Sequence, residues 1–223
     1  MPTIVLATSK GGAGKTTATI VLACELARNG ATVTLIDADP NQHSAKWAKR
    51  EGCPNNITLI EDVNESNIID EIELAEINTS FVIVDLEGTA SMAVSFAISR
   101  ADLVITPCQG SQDDADEAVR TIKLIKQQEK AFRREIPFTI LITNNQAAIT
   151  PRTLKHICNE FRAADVPMLS TSLVNRDAFR AIRSFGGAVH ELNKKEVSGI
   201  DKASKNAEEF AIEVINLIQN QRV

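Results

Sequence analysis

Ser9-Lys10-Gly11-Gly12-Ala13-Gly14-Lys15-Thr16-Thr17 is the stretch whose reading decides the fold. Before it, Thr3-Ile4-Val5-Leu6-Ala7-Thr8 is short, apolar and rich in β-formers, which predicts a buried strand. After it, Thr17 to Asn29 carries Ile20, Leu22, Ala23, Leu26 and Ala27 at helical spacing, which predicts a helix with one apolar face. Strand, glycine loop and helix in this order form the setting in which a backbone wraps phosphate. Gly11, Gly12 and Gly14 let successive N–H groups turn inward with no Cβ in the way. The helix start adds unpaired N–H groups and the positive end of its dipole. Lys15 is placed to neutralise the outer phosphates, and the Thr16 hydroxyl to ligate Mg²⁺. The bland alternative is a glycine-rich turn that binds nothing, and the full context weighs against it.

Outward from this loop, two strand ends supply carboxylates. Thr32-Val33-Thr34-Leu35-Ile36-Asp37 reads as a buried strand that runs into Ala38-Asp39-Pro40. Phe81-Val82-Ile83-Val84-Asp85 is the strongest apolar strand of the chain, with Glu87 and Gly88 just beyond. In open α/β sheets, ligands sit beyond the carboxyl ends of the strands, which brings Asp37, Asp39 and Asp85 toward the glycine loop. An Asp after a strand is also a common helix cap, and that reading of Asp37 and Asp39 stays open here.

Lys10-Gly11-Gly12-Ala13-Gly14-Lys15-Thr16-Thr17 resembles the deviant Walker A box of the ParA/MinD family, Lys-Gly-Gly-x-Gly-Lys-Thr-Thr, at every fixed place. The resemblance implies a P-loop ATPase using ATP and Mg²⁺, with Lys10 to Thr17 as the nucleotide-binding set. In that family the first lysine, here Lys10, reaches the nucleotide of a partner subunit. By position, Asp39 would orient the attacking water, Asp37 and Asp85 would help hold Mg²⁺ with Thr16, and Asp39, Pro40 and Gly88 would form the switches. Lys10, Lys15 and Asp39 thus become the candidate catalytic residues. Asn144 is a candidate adenine contact, although Asn144-Asn145-Gln146 is equally ordinary turn chemistry. Glu87, a further carboxylate near the phosphate end, has no role in this scheme.

Across the remaining chain, strand and helix patterns alternate. Further helices are expected at about Gln42 to Arg50, Glu65 to Ile77, Met92 to Ser99, Asp113 to Arg133, Pro151 to Ala163 and Asp201 to Gln219. Further strands are expected at Ile57 to Ile60, Leu103 to Thr106, Pro137 to Thr143 and, as a short last one, Val166 to Leu173. Gly186 to Gly199 reads as the loop of highest mobility. Repeated β-α units in 223 residues predict one α/β domain over residues 1–223, a doubly wound, mostly parallel sheet with helices on both faces.

The formal net charge of −5 gives no global basic signature for nucleic acid, so any DNA contact must be local. Arg176, Arg180 and Arg183 recur at near-helical spacing, either as a solvated face or as a patch that two joined subunits would double to bind duplex DNA non-specifically. Arg176-Asp177-Ala178-Phe179 resembles in its place the short plasmid-encoded ParA branch that includes proteins assisting T-DNA transfer. Cys24, Cys53, Cys108 and Cys158 show no metal-ligand spacing and suit a reducing, cytoplasmic setting. No signal segment or membrane-length apolar run is present, and the acidic polar side around Glu208, Glu209 and Glu213 disfavours the basic membrane helix of the MinD branch. The chain enters the glycine loop at once, without the helix-turn-helix domain of longer partition ATPases, which favours a small partition protein.

The expected function is therefore a homodimer formed with ATP that binds double-stranded DNA and partitions a plasmid or other DNA cargo. It would be cytoplasmic and nucleoid-associated when ATP-bound. A centromere-binding, ParB-like protein or a transfer protein would stimulate hydrolysis. One alternative is a nucleotide-switch scaffold that recruits conjugation or T-DNA transfer proteins. Another is a metabolic P-loop enzyme, which Lys10 argues against.

Overall fold

The computed structural model describes residues 1–89, 91–146 and 150–220. Seven strands form one sheet: β1 (Thr3–Leu6), β2 (Val33–Ala38), β3 (Ile57–Ile60), β4 (Phe81–Leu86), β5 (Leu103–Cys108), β6 (Phe138–Asn145) and β7 (Leu173–Val174). Their spatial order is β3-β2-β4-β1-β5-β6-β7, and every pairing is parallel. Helices join them: α1 (Lys15–Arg28), α2 (His43–Ala48), α3 (Ile68–Asn78), α4 (Met92–Arg100), α5 (Gln112–Phe132), α6 (Arg152–Ala163), α7 (Asp177–Phe185) and α8 (Ile200–Asn220). This is the doubly wound P-loop fold expected from the sequence.

The period of two along each strand divides the core. Ile4, Leu6, Leu35, Ile83 and Ile105 pack against α1, α7 and α8 on one face. Val5, Ile36, Val82, Val84 and Val104 pack against α3, α4 and α5 on the other. Toward the β6 side, Ile140 and Ile142 meet α5 and α6 through Ala118, Leu154 and Phe161. Near-continuous Val, Ile and Leu runs are required because both sheet faces are covered.

Two expectations need correction. The last strand is only Leu173–Val174, with Met168 making one isolated bridge to Ile140. Pro167 and Leu169 make that bridge through Ile140, but beyond it the ladder stops, because the Ser170 and Thr171 N–H groups donate to Glu213 of α8 instead. The segment from Gly186 to Gly199 is not a bare loop: it holds a 3-10 turn at Val189–Glu191, and Ala188, Val189 and Val197 are buried in the α1–α8 core. Its apolar residues lack periodicity, so only the folded chain displays their burial.

The chain leaves β1 at the point where the winding changes direction, with β4 on one side and β5 on the other. A crevice at the carboxyl edge follows from that topology.

Candidate functional site

That crevice is a cleft of about 620 Å³ in which the glycine loop meets the ends of β2, β4, β6 and β7. Gly14 caps α1 at φ 98°, a left-handed conformation that a side chain strains, and so aims the first N–H groups of α1 into the cleft. Two side chains hold the outer edge of the loop by its carbonyls. Thr143 Oγ1 donates to the Ala13 carbonyl at 2.7 Å, and Gln109 Nε2 donates to the Gly12 carbonyl at 2.8 Å. Sequence reasoning misses both residues. Each lies at or just past the carboxyl end of a strand, which is the one signal that points to it.

Lys15 is 6% exposed, and its ammonium donates to the Lys10 carbonyl at 3.3 Å. Burial lowers its pKa, while the charges of Asp85, Asp39 and Glu87 oppose that shift. Glu87 thereby acquires a place: it lines the cleft, and its charge is one of three that favour the Lys15 ammonium. Lys10 points the other way, into an ion pair with Asp114 at 2.8 Å.

Asp85 is fully buried, and neither of its carboxylate oxygens has a hydrogen-bond partner among the described residues, although the Thr16 and Ser44 hydroxyls approach it. Burial, and then the charge of Asp37 across the β2–β4 register, push its pKa up to about 7. An unpaired buried carboxylate beside a threonine hydroxyl at a phosphate loop fits Mg²⁺, a hard cation that takes oxygen ligands. Among the described residues, no cluster of three His, Cys, Asp or Glu side chains forms a separate metal site.

Asp37 is buried and already engaged: Oδ1 accepts from the Asp39 N–H at 3.0 Å and Oδ2 from the Ala45 N–H at 2.7 Å. Asp37 thus ties the end of β2 to the first turn of α2, whose N-cap position is Gln42 without a side-chain cap of its own. Asp39 lines the cleft with Pro40 and His43, and its Oδ1 accepts from the Asn41 backbone and side-chain amides. Gly88 lies against the glycine loop, where an added Cβ would stand 2.8 Å from the Gly11 nitrogen. Asn144 is exposed, lines the cleft and adopts φ 56°, so its turn character and its place at the site are both present.

Arg176, Arg180 and Arg183 also line this cleft. Arg176 is half-buried with its Nε enclosed and unpartnered among the described residues, whereas Arg180 and Arg183 are exposed on α7. Arg180 donates to Asn175 Oδ1 at 2.7 Å. The three guanidinium groups therefore border the nucleotide-sized cleft rather than a remote surface.

The VirC1 protein family model matches residues 1–220. Protein ParA of Rhizobium radiobacter is 39% identical over 214 residues, covering 96% of each chain. Protein virC1 of Rhizobium rhizogenes is 26% identical over 191 residues, covering 83% of this chain and 82% of its own. Among solved structures, an ATP complex of McdA from Cyanothece superposes with a TM-score of 0.77 at 18% identity, covering 96% of each chain. The lysine-led glycine loop, the carboxylates at the ends of β2 and β4, and these matches agree that the chain belongs to the VirC1 family of ParA/MinD-type P-loop proteins.

Proposed function

We propose that this chain is a Mg²⁺-dependent ATPase of the partition type. It binds ATP in the cleft, joins a second copy through the bound nucleotide, holds double-stranded DNA without sequence preference, and moves a DNA cargo as a partner accelerates hydrolysis. The observation that supports this most is the buried, unpaired Asp85 carboxylate beside Thr16 at the phosphate loop. Mg²⁺, when bound, neutralises phosphate charge, and Thr16 and Asp85 would hold it or its waters. Asp37 fixes the β2 turn that presents Asp39. The loop N–H groups and Lys15 cradle the phosphates, and Lys10 serves the nucleotide of the second copy. Asp39, with Oδ1 taken by Asn41, orients the attacking water through Oδ2. Asn144 and the segment after β7 border the base. In a cell such a protein would be cytoplasmic and nucleoid-bound with ATP.

Asp39→Ala tests the chemistry. The variant should bind ATP and dimerise as wild type but hydrolyse ATP roughly a hundredfold more slowly, as expected when a water-orienting group is removed. Steady-state phosphate release together with light scattering measures both. Wild-type turnover would move the role to Glu87.

The resemblance of Arg176-Asp177-Ala178-Phe179 to the transfer-assisting branch supports a second reading, a nucleotide-switch scaffold that recruits DNA-transfer proteins. Turnover stimulated by DNA plus a centromere-binding protein supports partition. ATP-dependent binding to a relaxase or coupling protein, without stimulated turnover, supports the scaffold.

A further inference from the structure

Lys10 is the charged residue of the glycine loop whose side chain is committed away from the cleft, in an ion pair. Its ammonium lies 2.8 Å from Asp114 Oδ1, and the side chain is 40% exposed against 7% for Asp114. The two partners differ in freedom. Asp114 is fixed in the first turn of α5: its N–H donates to the Ser111 hydroxyl at 3.2 Å, and that hydroxyl donates back to Asp114 Oδ2. The positive helix end also favours a carboxylate there. Lys10 hangs on a long flexible stem at the loop entrance. Asp113 and Glu117 add negative charge around the ammonium, so the start of α5 forms an acidic seat. Around that seat the same region grips the loop, through Gln109 on the Gly12 carbonyl and the Thr121 hydroxyl 3.4 Å from that of Ser9.

We propose that Asp114 is the resting seat of Lys10: without nucleotide it holds the ammonium within its own protomer, and Lys10 passes from this carboxylate to phosphate when the nucleotide-bound assembly forms. The inference rests on the reading that Lys10 serves a nucleotide phosphate. One ammonium cannot neutralise both anions when they lie on different protomers, so every assembly event must first break the Asp114 contact. Asp114 is a positioning residue. It sets the ATP concentration at which two copies join and keeps the nucleotide-free chain monomeric.

The test compares Asp114→Asn, Ser111→Ala and Lys10→Ala, with Asp114→Ala as a second variant should the amide disturb the helix start. Two quantities are read: the half-saturating ATP concentration for dimerisation by light scattering, and the acylation rate of Lys10 by an amine-reactive ester without nucleotide, by mass spectrometry. Asp114→Asn should lower half-saturating ATP by roughly three- to tenfold, the scale of a half-exposed charge-assisted pair. It should also speed Lys10 acylation severalfold. Ser111→Ala weakens the cap but spares the pair, so it should lower the melting temperature and leave both readouts near wild type. Asp114→Asn placed on Lys10→Ala should add nothing. An unchanged Asp114→Asn, a Ser111→Ala shift as large as its own, or an effect that persists without Lys10 overturns the proposal. If Lys10→Ala alone dimerises and hydrolyses normally, it is the phosphate role of Lys10 that falls. If Lys10→Ala is defective while Asp114→Asn is neutral, only the seat falls.

Discussion

Asp85 concentrates the physics of the site in one carboxylate. A strand packed on both faces places it where water cannot reach, the neighbouring strand places Asp37 at its register partner, and neither of its oxygens is paired among the described residues. A raised pKa means the folded chain binds this proton more tightly than the unfolded chain does. The contribution to stability is then full below the ordinary carboxylate range near 3.8 and fades as pH rises toward about 7. The nucleotide-free, Mg²⁺-free protein should melt at lower temperature at pH 8 than at pH 5.5. Asp85→Asn should flatten that slope and raise stability at pH 8, by on the order of 4 kcal/mol at most. The same variant should weaken Mg²⁺-dependent ATP binding. Thermal melts across a pH series, with isothermal titration of ATP with and without Mg²⁺, read both effects. A variant less stable than wild type at pH 8 would show that the carboxylate is paired in solution.

At the scale of elements, the glycine loop is shaped as much by its neighbours as by its own glycines. Ends of β5 and β6 hold its carbonyls, α5 holds Lys10, and the turn after β4 rests on it at Gly88. The contact at Gly88 is backbone on backbone, so no rotamer change relieves a new Cβ: the Gly11 nitrogen would lie 2.8 Å away and the Lys10 carbonyl carbon 2.9 Å. Gly88→Ala should therefore separate the two loops, costing about 1–3 kcal/mol of stability as overpacked sites do. It should also weaken ATP binding about tenfold or more. Denaturant unfolding and nucleotide titration measure these, and a variant that keeps both wild-type values would place the turn farther from the loop. The sequence marked Gly88 only by its distance from Asp85. The close approach that requires glycine there belongs to the fold.

For the whole molecule, the question is where an acidic chain would meet DNA. Arg180 and Arg183 are exposed on α7 at the border of the cleft, so a second copy docked across that cleft would bring two such pairs together. Arg176, half-buried, lines the cleft itself. If the exposed pair binds duplex phosphates, Arg180→Ala with Arg183→Ala should weaken ATP-dependent binding to unrelated duplexes about equally. The slope of log affinity against log salt should flatten by about one unit for each phosphate that is no longer neutralised. ATP-dependent dimerisation should persist. Fluorescence anisotropy over a salt series, with ATP, ADP and no nucleotide, gives the answer; tight binding without nucleotide, or an unaltered slope, sinks the DNA role of α7.

The sequence by itself determined the strand–loop–helix start, the parallel sheet and the carboxylates at the ends of β2 and β4, because these depend on local periodicity and on residues adjacent in the chain. Lys10 to Thr17 was legible as a phosphate loop for the same reason. Only the tertiary structure decided the rest. It showed that Asp37 binds the first turn of α2 while Asp85 is left unpaired among the described residues, that Gln109 and Thr143 brace the loop, that Asp114 holds Lys10 across 104 positions of sequence, and that the arginines of the β7–α7 segment border the same cleft. Each of these depends on residues far apart in the chain or on the burial that the whole fold creates. Such relations are set by strand order and helix packing, which no local pattern encodes.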